Sequence, residues 1–338
     1  MQKFIQKIRS NLNLTELEIE NVMHEIMSGT SDKNDISDFL LALRAKGPTV
    51  EEITGAARIM RRFVVPIKTT HADVLDTCGT GGDKRNTFNI STVTALVVAG
   101  AGVAVAKHGN RSISSKCGSA DVLEALGVNL NIEEKNLSAC LDEVGIAFLF
   151  AQTLHPAMKN VAYIRKELGV ETIFNILGPL TNPANATHQM VGVYNRDLVE
   201  PIAFVLKNLG LKRALVVHGS DGLDEITTTG QTFISEFNGK EVISYDISPE
   251  ELDIPLAAER DLLGGDLQTN VRIVESILGG EKGAKRDIVL LNAAYALYIS
   301  EKTNSIPEAF EMARRSLDGG LAAQKLKMLK EFTNKFTL

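Results

Sequence analysis

The glycine-rich run at residues 76–92, DTCGTGGDKRNTFNIST, carries the strongest chemical signal in the sequence. It follows an apolar, strand-like segment and precedes a helical pattern of small residues. Gly79, Gly81 and Gly82 allow a ligand to approach the main chain closely and present its N–H groups. Ser91 lies where the helix begins, and a helix N-terminus favours anions. The run therefore predicts a site for a ligand that carries phosphate.

This run matches neither of the two common nucleotide-binding patterns. Lys84 stands where the last glycine of a GxGxxG or Walker A loop would fall, so neither a Rossmann nor a P-loop site is indicated. A plain turn between a strand and a helix is the alternative for a glycine-rich run alone. Asp83, Asn89, Ser91 and Thr92 favour a phosphate site over that alternative.

A polar segment, KHGNRSISSKCGSAD, follows the next strand pattern at residues 107–121. Lys107, His108 and Arg111 supply cations or hydrogen-bond donors, and serine hydroxyls and the Asn110 amide surround them. The carboxyl ends of strands in an open α/β sheet meet at one crevice, so this loop and the glycine-rich run can face one ligand. The alternative is a solvated loop that is rich in serine because serine favours turns.

Two further segments offer groups for metal and carboxylate binding. Residues 218–230 place Asp221, Asp224 and Glu225 after an apolar strand pattern, and such hard oxygen ligands suit Mg²⁺ that also contacts substrate phosphates. An acidic turn without metal is the alternative. Arg165 offers a planar fork for a carboxylate, although an exposed helical arginine is the default interpretation.

The elements that must position these groups divide the chain in two. Residues 1–72 show only helical patterns, with capping boxes at Thr15 and Thr49. From residue 73 onward, strand patterns alternate with helical ones, which predicts a mixed, mostly parallel sheet flanked by helices. The strand patterns are DVLDTC, VAVAKHG, GIAFLF, MVGVY and RALVVHG, with polar strand-like stretches at 227–247. Helical sequence interrupts this alternation at 156–182, and helical patterns at 266–279, 284–300 and 306–336 end the chain.

Composition narrows the class of protein. The chain has 338 residues and a net charge of −6, so it has no overall basic field of the kind that attracts nucleic acid. Three cysteines without a CxxC pattern indicate neither a disulfide framework nor zinc, and they fit a reducing cytoplasm. We find no signal peptide pattern and no apolar run long enough for a membrane span. The sequence predicts a cytoplasmic protein that binds small molecules.

Taken in order, four motifs resemble the anthranilate phosphoribosyltransferases of tryptophan biosynthesis. They are GTGGD with TFNIST, KHGNRSISSKCGSAD, RKELGVETIFNILGPLTNP and HGSDGLDE. The resemblance implies transfer of the phosphoribosyl group of 5-phosphoribosyl 1-diphosphate to the amine of anthranilate, with release of diphosphate. It also implies a homodimer and two domains: a helical domain of residues 1–72 joined by a segment at about 165–186, and an α/β domain of residues 73–164 and 187–338.

The same resemblance implies roles for individual residues. Phosphoribosyl diphosphate would be bound by Gly79, Gly82, Asp83, Thr87, Asn89, Ile90, Ser91, Thr92, Lys107, His108, Gly109, Asn110, Arg111, Ser112, Ile113, Ser114, Ser115 and Ser119. Mg²⁺ would be bound by Ser91, Asp224 and Glu225. Anthranilate would be bound by Gly79, His108, Asn110, Arg165 and Gly178. No strong general base is expected, because the aromatic amine is largely unprotonated at neutral pH, and His108, Asn110 and Arg165 would act by positioning.

Two other functions remain open at the level of sequence. A pyrimidine nucleoside phosphorylase would share the fold and a glycine-rich loop, and metal dependence would separate it from a phosphoribosyltransferase. A nucleic-acid-binding relative without activity would need a basic groove and degraded motifs. Gln152 and Tyr163 depart from the family pattern, since many relatives have proline there, and both lie near the expected anthranilate entry.

Overall fold

The computed structural model describes residues 1–111 and 117–336. Four helices open the chain: α1 (Gln2–Arg9), α2 (Glu16–Ser28), α3 (Lys33–Lys46) and α4 (Val50–Arg62). Both predicted capping boxes form, because Thr15 accepts from the Glu18 N–H and Thr49 from the Glu52 N–H. Glu52 is fully buried and also forms an ion pair with Lys46 at 2.8 Å.

The described residues then form a seven-stranded sheet in the order β3-β2-β1-β4-β5-β6-β7. Its first five strands are parallel, and the last two add on antiparallel. The strands are β1 (Leu75–Gly79), β2 (Val105–Gly109), β3 (Ile146–Phe150), β4 (His188–Gly192), β5 (Arg213–Gly219), β6 (Thr232–Phe237) and β7 (Val242–Ile247). This sheet confirms the predicted fold class.

Helices cover both faces of the sheet. The first group runs α5 (Ile90–Gly100), α6 (Ser119–Ala125), α7 (Glu134–Val144), α8 (Ala151–Leu154), α9 (Lys159–Leu168), α10 (Ile173–Leu177) and α11 (Val199–Asn208). The second group runs α12 (Leu267–Leu278), α13 (Ala284–Ile299), α14 (Ile306–Asp318) and α15 (Leu321–Asn334). No helix among the described residues has the length and apolar character needed to cross a membrane.

Two apolar clusters lie on opposite faces of the sheet. Met190 of β4 and Leu215 of β5 point into the first cluster, together with α5 and α13. Val191 and Val216, the next residues along the same strands, point into the second cluster. That second cluster also contains the buried faces of the four N-terminal helices, α9, α10 and α11. The alternation follows from the two-residue repeat of a strand, which sends successive side chains to opposite faces.

The structure refines two expectations about elements. The helical pattern at residues 306–336 forms two helices, because Gly319 and Gly320 separate α14 from α15 and Gly320 has a φ of +72°. The interrupting segment does return to the N-terminal helices, since α9 packs on α2 and α3. The turn at Pro156–Met158, just before α9, already contacts α2. The domain division at residues 72, 165 and 186 stays a prediction.

Candidate active site

Four of the parallel strands end in glycine at one edge of the sheet: Gly79, Gly109, Gly192 and Gly219. If alanine replaced them, its Cβ atom would overlap a side-chain oxygen at three of these positions and the carbonyl oxygen of Asp224 at the fourth, Gly192. Larger side chains would collide with the loops that fold over the strand ends. The row of glycines therefore allows the predicted loops to converge on this edge.

Asp224 and Glu225 are held at this edge by main-chain groups of the glycine-rich run. The Gly81 N–H donates to Oδ2 of Asp224 at 2.9 Å, and the Ser91 N–H donates to Oε1 of Glu225 at 3.1 Å. Burial raises the pKa of both carboxyls. Repulsion from Asp83 raises the pKa of Asp224 further, and repulsion from Asp224 and Asp83 raises that of Glu225. The structure thus places the Glu225 carboxylate at the first turn of α5 and the Asp224 carboxylate on the glycine-rich run, with Asp83 near Asp224.

Lys107 supplies a cation beneath these carboxylates. Its Nζ donates to the main-chain oxygen of Thr77 at 2.6 Å and to Oγ of Ser91 at 3.2 Å. Burial lowers the pKa of Lys107, while Asp76, Glu225 and other negative groups oppose that change. The Lys107 ammonium links β2 to β1 and to the first turn of α5.

His108 pairs with His155, a residue that the sequence analysis missed. Their Nε2 atoms lie 3.0 Å apart, and both rings are buried. Burial lowers the pKa of His108 to about 3 and that of His155 to about 4, so both are neutral at pH 7 and one Nε2–H donates to the other ring. His155 follows β3 and the short helix α8, and this position after a parallel strand was a usable signal.

Arg165 lies half-buried near the C-terminal end of α9, above the ring of Phe174 at 5.6 Å. Among the described residues, its guanidinium forms no ion pair or hydrogen bond, and burial lowers its pKa. Phe174 belongs to α10, and the main-chain oxygen of Gly178, at the end of α10, accepts a hydrogen bond from the His108 ring. This short helix therefore connects the surroundings of Arg165 with those of the histidine pair.

Two buried polar atoms at the N-terminus of α5 have no hydrogen-bond partner among the described residues. Asn89 is the N-cap residue and donates from Nδ2 to the Cys117 oxygen at 3.1 Å, but its buried Oδ1 accepts no hydrogen bond among the described residues. The hydroxyl of Thr92, one turn further, is also buried and unpartnered there. Buried polar groups are normally satisfied, so each indicates a missing ligand or water.

Several other predicted residues have structural partners of their own. Arg111 forms ion pairs with Asp121 at 2.9 Å and Glu124 at 2.8 Å. Ser119 donates from Oγ to the Asn110 oxygen at 3.3 Å. Among the other predicted residues, Gly82 has a φ of +86°, and Thr87 forms an isolated β-bridge with Leu263. The side chain of Ile90 is buried. Ser112, Ile113, Ser114 and Ser115 lie outside the described residues.

Asp221 does not join the acidic group that the sequence suggested for it. Its Oδ2 accepts from the hydroxyls of Thr227 at 2.7 Å and Thr229 at 2.6 Å, and its Oδ1 accepts from the Leu223 N–H at 3.1 Å. The Asp221 carboxylate therefore braces its own loop. Asp83 instead approaches Asp224 from the glycine-rich run.

Two known protein-family patterns match this chain and define its class. Residues 2–64 match the glycosyl transferase family, helical bundle domain, and residues 71–323 match the glycosyl transferase family, a/b domain. The fold and the site thus define a glycosyl transferase with a helical bundle and an a/b domain. A protein of Acetivibrio thermocellus named anthranilate phosphoribosyltransferase is 52% identical over 336 residues, covering 99% of this chain and 97% of its own length. The chain belongs to the anthranilate phosphoribosyltransferase family.

Solved structures agree with this assignment. The anthranilate phosphoribosyltransferase of Thermus thermophilus superimposes with a TM-score of 0.93 at 41% identity, covering 98% of this chain and 99% of that chain. The Saccharomyces cerevisiae enzyme in complex with PRPP and Mg has a TM-score of 0.91 at 26% identity, covering 99% and 98%. The yeast enzyme in complex with 4-fluoroanthranilate has a TM-score of 0.89 at 26% identity, with the same coverage.

Proposed function

We propose that this protein transfers the phosphoribosyl group of 5-phosphoribosyl 1-diphosphate to the amine of anthranilate and releases diphosphate. The main observation behind the proposal is the acidic pair, Asp224 and Glu225, beside the N-terminus of α5. Their carboxylates accept hydrogen bonds from the N–H groups of Gly81 and Ser91. This arrangement combines metal ligands with a phosphate-binding helix N-terminus. Full-length identity of 52% to a named anthranilate phosphoribosyltransferase supports it.

The donor set at the acidic pair fits Mg²⁺. No group of three His, Cys, Asp or Glu side chains forms a metal cluster in the described part of the chain. Mg²⁺ commonly uses only one or two protein carboxylates and takes its other ligands from phosphates and water. Asp224 and Glu225, with the Ser91 hydroxyl, would hold the ion. When bound, Mg²⁺ would neutralise charge on the diphosphate leaving group.

Phosphoribosyl diphosphate binding is assigned to the glycine-rich run and to the strand that follows α5. The N-terminus of α5 favours a phosphate, and the unpartnered Thr92 hydroxyl in its first turn can donate to a phosphate oxygen. The Oδ1 of Asn89, the N-cap residue, is an acceptor and can accept from a ribose hydroxyl. Lys107 adds a buried positive charge. We also propose contacts from Gly79, Gly82, Asp83, Thr87 and Ser119. Arg111 acts indirectly, because both neighbouring carboxylates already hold its guanidinium.

The anthranilate site is assigned to Arg165, the histidine pair and Gly178, with Asn110 and Gly79 at its border. Arg165 is an unpaired, half-buried cation that can form a charge-assisted hydrogen bond with the anthranilate carboxylate. The histidine pair stays neutral and can orient the amine without protonating it. The pair therefore leaves the amine lone pair free to attack.

The chemical step needs positioning more than proton transfer. The C1–oxygen bond to diphosphate breaks, its electron pair leaves with the diphosphate, and the amine nitrogen forms the new bond to C1. The amine then loses a proton to solvent or to the departing diphosphate. Main-chain donors at Gly81 and Ser91 keep the acidic ligands in place, and Arg165 aligns the nucleophile. Such alignment alone can contribute about 7 kcal/mol or more to lowering the barrier.

The remaining assignments concern the whole molecule. We propose that residues 1–72 with about 165–186 form one domain, and residues 73–164 with 187–338 the other. The protein is proposed to act as a homodimer in the cytoplasm, with anthranilate and 5-phosphoribosyl 1-diphosphate as its substrates. The low cysteine content is compatible with a reducing compartment.

The decisive experiment follows the loss of anthranilate fluorescence when the purified protein meets 5-phosphoribosyl 1-diphosphate. It compares Mg²⁺ with EDTA, and the unchanged protein with Asp224→Asn/Glu225→Gln. We expect a Mg²⁺-dependent loss that the double substitution abolishes. A folded protein that leaves the fluorescence unchanged contradicts the proposal, and phosphorolysis of thymidine is then the next reaction to measure.

A further inference from the structure

Asn292 is a fully buried amide on α13 that clamps the main chain beside the acidic pair. Its Oδ1 accepts from the Ile226 N–H at 3.0 Å, and its Nδ2 donates to the Ile226 oxygen at 2.8 Å. Nδ2 also donates to the Ile288 oxygen at 2.8 Å, one turn earlier in α13. With both amide hydrogens and one acceptor site used, the side chain is fixed in one orientation.

The clamped residue follows Glu225 directly in the sequence. The same helix packs along α5, whose second residue is Ser91. One helix therefore contacts both halves of the metal site: the loop that carries the two carboxylates, through Asn292, and the helix that carries Ser91, through apolar packing.

This contact matters because Asp224 and Glu225 are adjacent carboxylates, and like charges repel each other. A flexible loop would relieve that repulsion by moving Glu225 away from Asp224, and it would then lose the geometry that a cation needs. The Asn292 clamp opposes that movement at the adjacent peptide. Groups behind metal ligands typically change metal affinity by about 10–100-fold when they are removed.

We propose that Asn292 is a positioning residue for the metal site, which holds the main chain at Ile226 so that the Glu225 carboxylate stays beside Asp224. This inference rests on the proposed function, since it takes Asp224 and Glu225 as the metal ligands. Asn292 itself touches neither substrate nor metal in this role.

The test measures the affinity for Mn²⁺, titrated into the metal-free protein and followed by electron paramagnetic resonance. Asn292→Leu keeps the branched shape of the side chain, although leucine is larger, and removes all three hydrogen bonds. We expect its dissociation constant for Mn²⁺ to rise by about 10-fold or more. The Mg²⁺ concentration for half-maximal activity should rise in parallel. Asn292→Ser, which admits a bridging water, serves the same purpose if the leucine variant does not fold, and we expect a smaller rise.

Leu291→Ala is the matched control, because Leu291 is the buried neighbour of Asn292 on the same helix. This substitution lowers thermal stability through lost packing and leaves the clamp intact. A purely structural Asn292 would behave like this control, with a lower Tm and an unchanged Mn²⁺ dissociation constant, and that result would overturn the inference.

The controls also separate this inference from the proposed function. Mn²⁺ binding to the unchanged protein that Asp224→Asn/Glu225→Gln abolishes supports the metal site. If the double variant binds Mn²⁺ normally, or the unchanged protein binds none, the metal site is refuted and the inference falls with it. If the double variant fails and the Asn292 variants bind normally, only the role of Asn292 is refuted.

Discussion

The raised pKa values of Asp224 and Glu225 predict that the metal-free protein loses stability as the pH rises. Their pKa values rise from 3.8 to about 7 and from 4.5 to about 8. In this range the unfolded chain binds fewer protons than the folded one, so the free energy of unfolding falls with increasing pH. The loss begins near pH 4, grows through neutrality and levels off above about pH 8.

The size of the effect follows from these pKa values. For Asp224 alone, the rise from 3.8 to about 7 corresponds to at most about 4 kcal/mol. Both side chains are partly open to solvent, which screens the repulsion, so we expect about 2 kcal/mol. For a chain of this length, that is a change in Tm of about 3 °C.

The assay is thermal unfolding in EDTA between pH 5 and 8.5, for the unchanged protein and for Asp224→Asn/Glu225→Gln. The amide oxygens of the double variant can still accept from Gly81 and Ser91, so mainly the charge is removed. We expect the variant to gain in Tm over the unchanged protein as the pH rises. Added Mg²⁺ should stabilise the unchanged protein most at high pH. A Tm difference that is the same at every pH would refute the reasoning.

Three further predictions concern Arg165, the pair of His108 and His155, and Asp221. Arg165→Ala should raise the KM for anthranilate by about 10- to 100-fold, because a charge-assisted hydrogen bond contributes about 1.5–3 kcal/mol. Lys166→Ala, one residue away, is the control and should leave this KM unchanged. An unchanged KM in Arg165→Ala rules out the assignment. The pKa values of about 3 and about 4 for His108 and His155 predict no histidine ionisation in kcat/KM between pH 6 and 8. An inflection near pH 6.5 that His155→Asn removes would contradict this. Asp221→Ala should lower the free energy of unfolding, measured by denaturant titration, by about 2 kcal/mol, since three hydrogen bonds are lost. A decrease below about 0.5 kcal/mol would mean that the Asp221 carboxylate does not stabilise the loop.

Local patterns in the sequence were sufficient to predict most elements of the fold. The capping boxes at Thr15 and Thr49 and the apolar strands that end in Gly79 and Gly109 depend on neighbouring residues alone. The break between α14 and α15 was missed, because apolar periodicity continues across Gly319 and Gly320.

Features of the site that depend on distant contacts could not be predicted in the same way. Asp221, Asp224 and Glu225 look equivalent in sequence, and only the fold directs Asp221 to Thr227 and Thr229 and the other two to the glycine-rich run. His155 was missed because its partner lies 47 residues away in the sequence. Spacing along the chain carries little information about such pairs.

The shared apolar cluster of the N-terminal helices and the sheet has a consequence for how the chain folds during synthesis. Phe4 and Ile5 of α1 belong to the same cluster as Val191 of β4 and Val216 of β5. The four helices leave the ribosome first, yet part of the surface that completes this cluster is made only when β5 emerges. The core of the nascent N-terminal segment therefore stays incomplete until more than half of the protein has been translated.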